Sequence, residues 1–210
     1  MSGSPRSRAR FSVALMAGLA LSGCISLLPR ERPVPLYSFE GPPLSVSAPP
    51  SPQALHPVTV RASLNGFERA ASGDRLLTVD GDAQAFISNA RWVSPAQSLF
   101  ESALVTRFAA AHGRVRLLGR NEAAASDARL EFEVTRFETR YAADRSLPPQ
   151  VLVEIQASLT PTTPGGTRRD RTFSVRVPAS ANRVRAIVAA YVRATDQALE
   201  ALVAWTNAGV

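Results

Sequence analysis

The sequence predicts an α+β protein with two layers, in which a mostly antiparallel sheet carries two main helices packed on one face. Residues 130–135, 151–159 and 172–177 alternate between apolar and polar side chains, which is typical of strands covered on one face only. Two further segments, one after Pro95 and one near the C-terminus, repeat apolar side chains at helical spacing. Helices of this kind can cover the apolar face of such a sheet.

Residues 1–23 are predicted to be a lipoprotein signal peptide. Three Arg and no acidic residue precede the apolar run Phe11–Leu21, which is shorter than the ~20 residues of a membrane-spanning helix. The run ends in Leu-Ser-Gly-Cys24, which resembles the lipobox of bacterial lipoproteins and predicts lipidation of the Cys24 thiol. The alternative is an uncleaved hydrophobic anchor with an incidental cysteine. Because Ile25 rather than Asp follows, the sorting rule of enteric lipoproteins favours the periplasmic face of the outer membrane.

Residues 24–57 are predicted to be the lipidated cysteine followed by a Pro-rich tether. Nine of the 16 prolines lie between Pro29 and Pro57, and proline favours extended, solvated backbone. At ~3.1 Å per residue, a fully extended tether would reach on the order of 100 Å. Residues 36–39 alternate like a short strand and are expected to dock as an edge strand on the domain that follows.

Residues 58–210 are predicted to form the folded domain. Beyond the three alternating strands, shorter strands are expected at 58–64, 74–79, 85–92 and 115–118. Turns between strands are expected at Asp80-Gly81-Asp82 and at Pro164-Gly165-Gly166.

The two helices are predicted from capping residues and apolar stripes. Ser94 is placed to cap the first helix, with Pro95 at its first position and Gln97 completing a Ser-x-x-Gln box. The second helix is expected over 182–205. The side chains predicted to face the sheet are Phe100, Leu104, Phe108, Tyr191, Ala198 and Leu202.

Composition and charge exclude several functions. All 24 basic residues are Arg and the formal net charge is +7. Cleavage before Cys24 would leave 21 Arg against 17 acidic residues, a charge of +4 that is too mild and scattered to indicate nucleic-acid binding. One Cys and two His give no disulfide framework and little for a metal, and no cofactor is predicted. Without Lys, a P-loop is impossible in its usual form, so ATP hydrolysis would belong to another subunit.

Two blocks of sequence resemble a known family. Residues 89–95 bring Trp92 and Pro95 to the start of the first helix, and residues 130–141 end in Phe137-Glu-Thr-Arg140-Tyr141. Both blocks, and their order along the chain, are similar to the ABC-type transport auxiliary lipoproteins, the family of paraquat-inducible protein C. Tyr37 matches the early strand of that family.

The resemblance implies a periplasmic accessory subunit of an ABC system, with lipid or another hydrophobic molecule as cargo. Its implied partners are an ABC permease, an ATPase and a protein with mammalian-cell-entry domains. A homo-oligomer is compatible with this interpretation.

Five side chains are candidates for binding a partner or a lipid. Trp92, Phe137 and Tyr141 could form an apolar surface, and Arg136 and Arg140 could meet acidic groups or lipid phosphates. The alternatives are core packing for the aromatic rings and a solvated strand for the two arginines. No catalytic residue and no metal ligand is predicted, because no nucleophile–base motif is present.

Two other functional classes stay open. One is a structural lipoprotein of outer-membrane assembly, which would share the anchor and the tether. The other is a periplasmic lipoprotein enzyme, which the lack of a nucleophile–base motif disfavours.

Overall fold

The computed structural model describes residues 33–39, 58–111, 113–119, 121–144 and 146–210. Cys24, His56, His112 and most of the tether lie outside the described residues. The compact unit runs from Val34 to Val210, so it includes residues 36–39 as well as the domain expected from Val58 onward.

Eight strands and two helices form the described part of the chain. The strands are β1 (Leu36–Tyr37), β2 (Val58–Phe67), β3 (Arg75–Asp80), β4 (Ala83–Trp92), β5 (Val115–Leu117), β6 (Ala128–Tyr141), β7 (Gln150–Pro161) and β8 (Arg169–Pro178). The helices are α1 (Ala96–Ala110) and α2 (Val184–Gly209). Neither helix is long and apolar enough to cross a membrane.

The sheet is organised around β6. One edge of β6 pairs antiparallel with β7 along nearly its whole length, and β7 pairs antiparallel with β8. The other edge is divided: β2 pairs parallel with it as far as Val134, and β3 pairs parallel with it from Thr139 onward. Beyond these strands, β4 is antiparallel to β3, β5 is parallel to β2, and β1 is parallel to β4.

The α+β fold class is confirmed, and the sheet is a mixed one. Its two longest pairings are antiparallel, whereas the shorter pairings of β1, β2 and β5 are parallel. Alternation of apolar and polar residues indicates that only one face of a strand is covered. A short pair of parallel strands that is covered on one face has the same alternation. The strand direction therefore could not be deduced from the pattern.

The first helix begins differently from the sequence prediction. Ser94 does not cap it: α1 begins at Ala96, Pro95 is the N-cap residue, and no side chain caps the first turn. Instead, the Ala96 N–H donates to the Gly73 carbonyl at 2.9 Å and the Gln97 N–H donates to the Ser72 carbonyl at 3.3 Å. A loop distant in sequence therefore satisfies the donors that a capping side chain would have taken.

Both helices pack on the same face of the sheet. All six side chains predicted to face the sheet are buried: Phe100, Leu104, Phe108, Tyr191, Ala198 and Leu202. Full burial of one large apolar side chain stabilises a fold by about 1.5–3 kcal/mol, so this layer is a major source of stability. Arg107 and Asp196 add an ion pair between the two helices.

Candidate functional site

Two of the predicted site residues lie in the protein core. Trp92 is 2% exposed and Phe137 is 1% exposed. Their rings are 6.3 Å apart, and Tyr191 of α2 lies 5.2 Å from Trp92 and 4.9 Å from Phe137. In this structure the two rings pack in the interior and do not form an apolar surface.

Phe39 from the N-terminal segment completes the aromatic cluster. Its ring lies 5.1 Å from both Trp92 and Phe137, and it is 1% exposed. The Val93 N–H donates to the Tyr37 carbonyl at 2.7 Å, which extends the pairing of β1 with β4. Residues 36–39, in the middle of the predicted tether, are thus fixed to the domain by one buried ring and by backbone hydrogen bonds.

Tyr141, the third aromatic candidate, is half-buried at the end of β6. Its hydroxyl donates to Asn182 Oδ1 at 3.1 Å, just before α2 begins. This contact joins the end of the central strand to the loop after β8.

The sheet face away from the helices is polar, and we call it the open face. Directly opposite residues of paired strands point to the same side. Glu131 therefore lies beside Ser158, and Glu133 lies beside Gln156, on the side opposite the buried Leu130 and Phe132. The residues that define the open face are Glu131, Glu133, Arg136, Arg140, Glu154, Gln156, Asp170, Thr172 and Arg176.

A shallow groove of about 370 Å³ crosses the open face. Asp170 on its wall accepts hydrogen bonds from the Ser158 hydroxyl at 2.5 Å and from Arg168 Nε at 2.8 Å. These two bonds lower the pKa of Asp170 below its ordinary value, so its carboxylate is ionised at neutral pH. The groove has a fixed negative charge beside a guanidinium, which suits a polar partner surface better than an apolar ligand.

A pair of carboxyl groups lies where the two arginine candidates are found. Glu138 points to the same side as Arg136 and Arg140 and is only 2% exposed. Arg140 Nε donates to Glu138 Oε1 at 2.6 Å. Glu68, in the loop after β2, accepts the Phe137 N–H through Oε2 at 2.5 Å.

Burial raises the pKa of Glu68 from its ordinary value of 4.5 to about 7. This value is the net effect of burial and of the Glu138 charge, which raise the pKa, and of the Phe137 N–H and the Arg136 guanidinium, which lower it. Near neutral pH, Glu68 is therefore protonated in a large fraction of molecules and can donate a hydrogen bond to Glu138. The protonation state of this part of the sheet therefore changes with pH close to 7.

Sequence reasoning found the two arginines of this site but missed both carboxyl groups. Glu138 belongs to a stretch where Phe137, Glu138 and Thr139 are buried in succession, which breaks the alternation of β6. Glu68 belongs to no recognisable sequence motif. Phe137, whose N–H donates to it, lies 69 positions later in the sequence. The strand before Glu68 was predicted to end at Leu64, whereas β2 continues to Phe67, so the sequence contained no signal for this side chain. Among the described residues, no three His, Cys, Asp or Glu side chains are grouped so as to hold a metal ion.

Comparison with known proteins identifies the family. The family model of the ABC-type transport auxiliary lipoprotein component matches residues 37–203, which include Phe39, β2 to β8, α1 and most of α2. The chain belongs to this family. It is thus an auxiliary lipoprotein associated with an ABC transport system, and lipoproteins of this family belong to the cell envelope. No curated protein sequence matches the chain significantly.

Two solved structures share the fold of the auxiliary lipoprotein. A protein from Xanthomonas campestris is 26% identical, with a TM-score of 0.64 over 76% of this chain and 90% of that one. A second, uncharacterized protein is 15% identical, with a TM-score of 0.58 over 71% of this chain and 91% of that one. The second likeness shows the fold alone.

Proposed function

We propose that this auxiliary lipoprotein is a non-catalytic accessory subunit of a lipid-trafficking ABC system of the mammalian-cell-entry type. Cys24 would carry its lipid anchor, on the periplasmic face of the outer membrane. Its partners would be the protein with mammalian-cell-entry domains, the ABC permease and the ATPase. The observation that carries the proposal is the family match over residues 37–203, together with a sheet face on which polar side chains such as Glu133 and Gln156 are exposed.

The open face has the properties of a subunit contact. Glu133 and Gln156 are exposed at its centre, whereas both helices occupy the opposite face of the sheet. A rigid sheet presents such side chains in a fixed arrangement, so little conformational entropy is lost on binding. Charged side chains at a contact contribute specificity and association rate more than affinity.

The predicted anchor and tether would compensate for a weak contact. A domain held to the same compartment as its partner reaches a high effective concentration, so an interface of modest affinity can still be occupied. With residues 36–39 fixed to the domain, residues 24–35 would remain as the tether and would let the domain stand up to roughly 40 Å from the membrane that holds the anchor.

Purification from membranes tests the proposal. Affinity-tagged protein is expected to co-purify with the mammalian-cell-entry protein and the permease, and Glu133→Arg is expected to reduce this recovery at least tenfold. Glu200→Arg is the matched control, because it makes the same charge change at an exposed position of α2 on the helical side. Recovery of assembly factors alone would instead support a structural lipoprotein of outer-membrane assembly.

A further inference from the structure

Strand β8 has one edge that is not paired. It pairs with β7 through ten register positions, from Gln150↔Pro178 to Leu159↔Arg169. No described strand pairs with its other edge. An unpaired edge ten residues long presents a row of backbone N–H and C=O groups that can bind an additional strand.

The chain around this edge is strongly basic. Between Ile155 and Thr195 it has seven Arg and a single acidic residue, Asp170. All seven side chains are exposed. We call them the basic flank: Arg168, Arg169, Arg171, Arg176, Arg183, Arg185 and Arg193.

Most of this positive charge is not neutralised within the domain. Asp170 pairs with Arg168 at 2.8 Å, which leaves no acidic residue of that segment for the others. Six of the seven arginines form no ion pair with any described residue: Arg169, Arg171, Arg176, Arg183, Arg185 and Arg193. A guanidinium group without an ion-pair partner can bind an acidic group from outside the domain.

Helix α2 runs back beside β8, and contacts at both ends of the strand involve arginines of the basic flank. Arg193 Nη2 donates to the Pro178 carbonyl at 3.2 Å, which places α2 next to the end of β8. At the other end, Arg169 Nη1 lies 3.1 Å from the position that a Cβ on Gly209 would occupy. Cationic groups therefore lie near both ends of the unpaired edge.

We propose that the free edge of β8 binds an extended, acidic segment of a partner protein, which adds to the described sheet as a ninth strand. The backbone groups require a partner with backbone donors and acceptors in an extended conformation. The basic flank requires acidic side chains and opposes edge-to-edge pairing with β8 of a second copy. A membrane surface would supply the negative charge but not the backbone hydrogen bonds. The proposal does not rest on the function proposed above.

Three fluorescent peptides test the proposal against the full-length protein in detergent. The first alternates Glu with Val, the second alternates Lys with Val, and the third alternates Glu with Pro. The third keeps the charge of the first but cannot form a strand, because proline lacks the N–H donor. Fluorescence anisotropy is expected to show binding of the Glu–Val peptide, at least tenfold weaker binding of the Glu–Pro peptide, and no binding of the Lys–Val peptide.

Charge reversal locates the binding surface. Arg176→Glu combined with Arg183→Glu is expected to weaken binding of the Glu–Val peptide at least tenfold. Arg114→Glu is the matched control, because Arg114 is exposed beside β5, on the opposite side of the sheet from β8. Thermal melts check that each variant is folded.

Two results would overturn the proposal. Equal binding of the Glu–Val and Glu–Pro peptides would mean that charge alone is recognised and that no strand is added. In the second result, no peptide binds, whereas phosphatidylglycerol vesicles bind to the wild type and do not bind to the double variant. That result would assign the basic flank to an anionic membrane surface.

Discussion

The side chain of Glu68 takes the place of a strand on β6, because its Oε2 accepts the Phe137 N–H at 2.5 Å. Pairing of β2 with β6 ends at Val134, and pairing of β3 with the same edge begins at Thr139. The backbone between these positions has no strand partner on that edge. Glu68 satisfies one of its donors, next to the ring that lies at the centre of the aromatic cluster.

Glu68→Gln should remove a pH dependence of stability. The pKa of Glu68 is about 7 in the folded protein and ordinarily 4.5, so between these values the folded state binds more protons than the unfolded state. The free energy of unfolding should therefore fall as pH rises from 4.5 to 7 and should be insensitive to this group above 7. Urea melts from pH 4.5 to 8 should show this slope in the wild type and a weaker slope in Glu68→Gln. At pH 8 the variant should be more stable by roughly 1 kcal/mol, since partial exposure to solvent reduces the effect.

Glu68→Ala is the companion variant, because it removes the acceptor as well as the charge. An unpaired backbone donor costs about 1–3 kcal/mol when buried, so Glu68→Ala should be less stable than Glu68→Gln at every pH. Identical stability of the two variants would contradict the role assigned to the hydrogen bond with Phe137.

Leu104→Ala should destabilise the domain by about 2–5 kcal/mol. Leu104 lies on the buried side of α1 and is only 3% exposed, so its truncation leaves a cavity. Val105→Ala is the matched control, since Val105 is the next residue and 58% exposed. Chemical denaturation should show a change within about 0.5 kcal/mol for the control. A similarly small change for Leu104→Ala would mean that α1 does not pack on the sheet as described.

Thr195→Val should stabilise the protein by about 1 kcal/mol. Thr195 is 1% exposed, and its hydroxyl has no hydrogen-bond partner among the described residues. Valine has nearly the same shape and carries no polar group to be left unsatisfied. Differential scanning calorimetry measures the change, and a lower melting temperature would indicate that the hydroxyl has a partner in solution.

The regular parts of this fold could be predicted because alternation and helical spacing are local properties of the sequence. The strand predicted at residues 130–135 was too short, since β6 continues to Tyr141. The pairing of β6 with β7 shifts register between Val134 and Arg136. Beyond this bulge, odd- and even-numbered residues exchange faces of the sheet, so the alternation of apolar and polar residues stops there. A bulge of this kind depends on the neighbouring strands and leaves no reliable mark in the sequence.

The candidate site was harder to predict because it depends on distant contacts. Arg136 and Arg140 could be chosen from the sequence, but their neighbour Glu68 comes from another part of the chain. Trp92 ends β4 and Phe137 follows the bulge of β6, so alternation did not show whether either ring points into the core or out to solvent. Phe39, from the middle of the predicted tether, packs against both rings.

Lipidation at Cys24 remains a prediction, since Cys24 lies outside the described residues. Cys24→Ser should abolish incorporation of radiolabelled palmitate and leave the precursor uncleaved, because the thiol sulfur accepts the diacylglyceryl group. Gel electrophoresis with autoradiography measures both effects, and Ser22→Ala, which keeps a small residue before the cysteine, is the control. Palmitate labelling that persists in Cys24→Ser would rule out this anchor site.

Site-specific photocrosslinking in cells tests the proposed function most directly. A photoreactive amino acid at Gln156 lies at the centre of the open face, and the same amino acid at Gln197 lies on the exposed side of α2. We expect the first position to capture the protein with mammalian-cell-entry domains, identified by mass spectrometry, and the second to capture it at a much lower yield. Capture of only assembly factors or peptidoglycan enzymes from Gln156 would contradict the proposed role in transport.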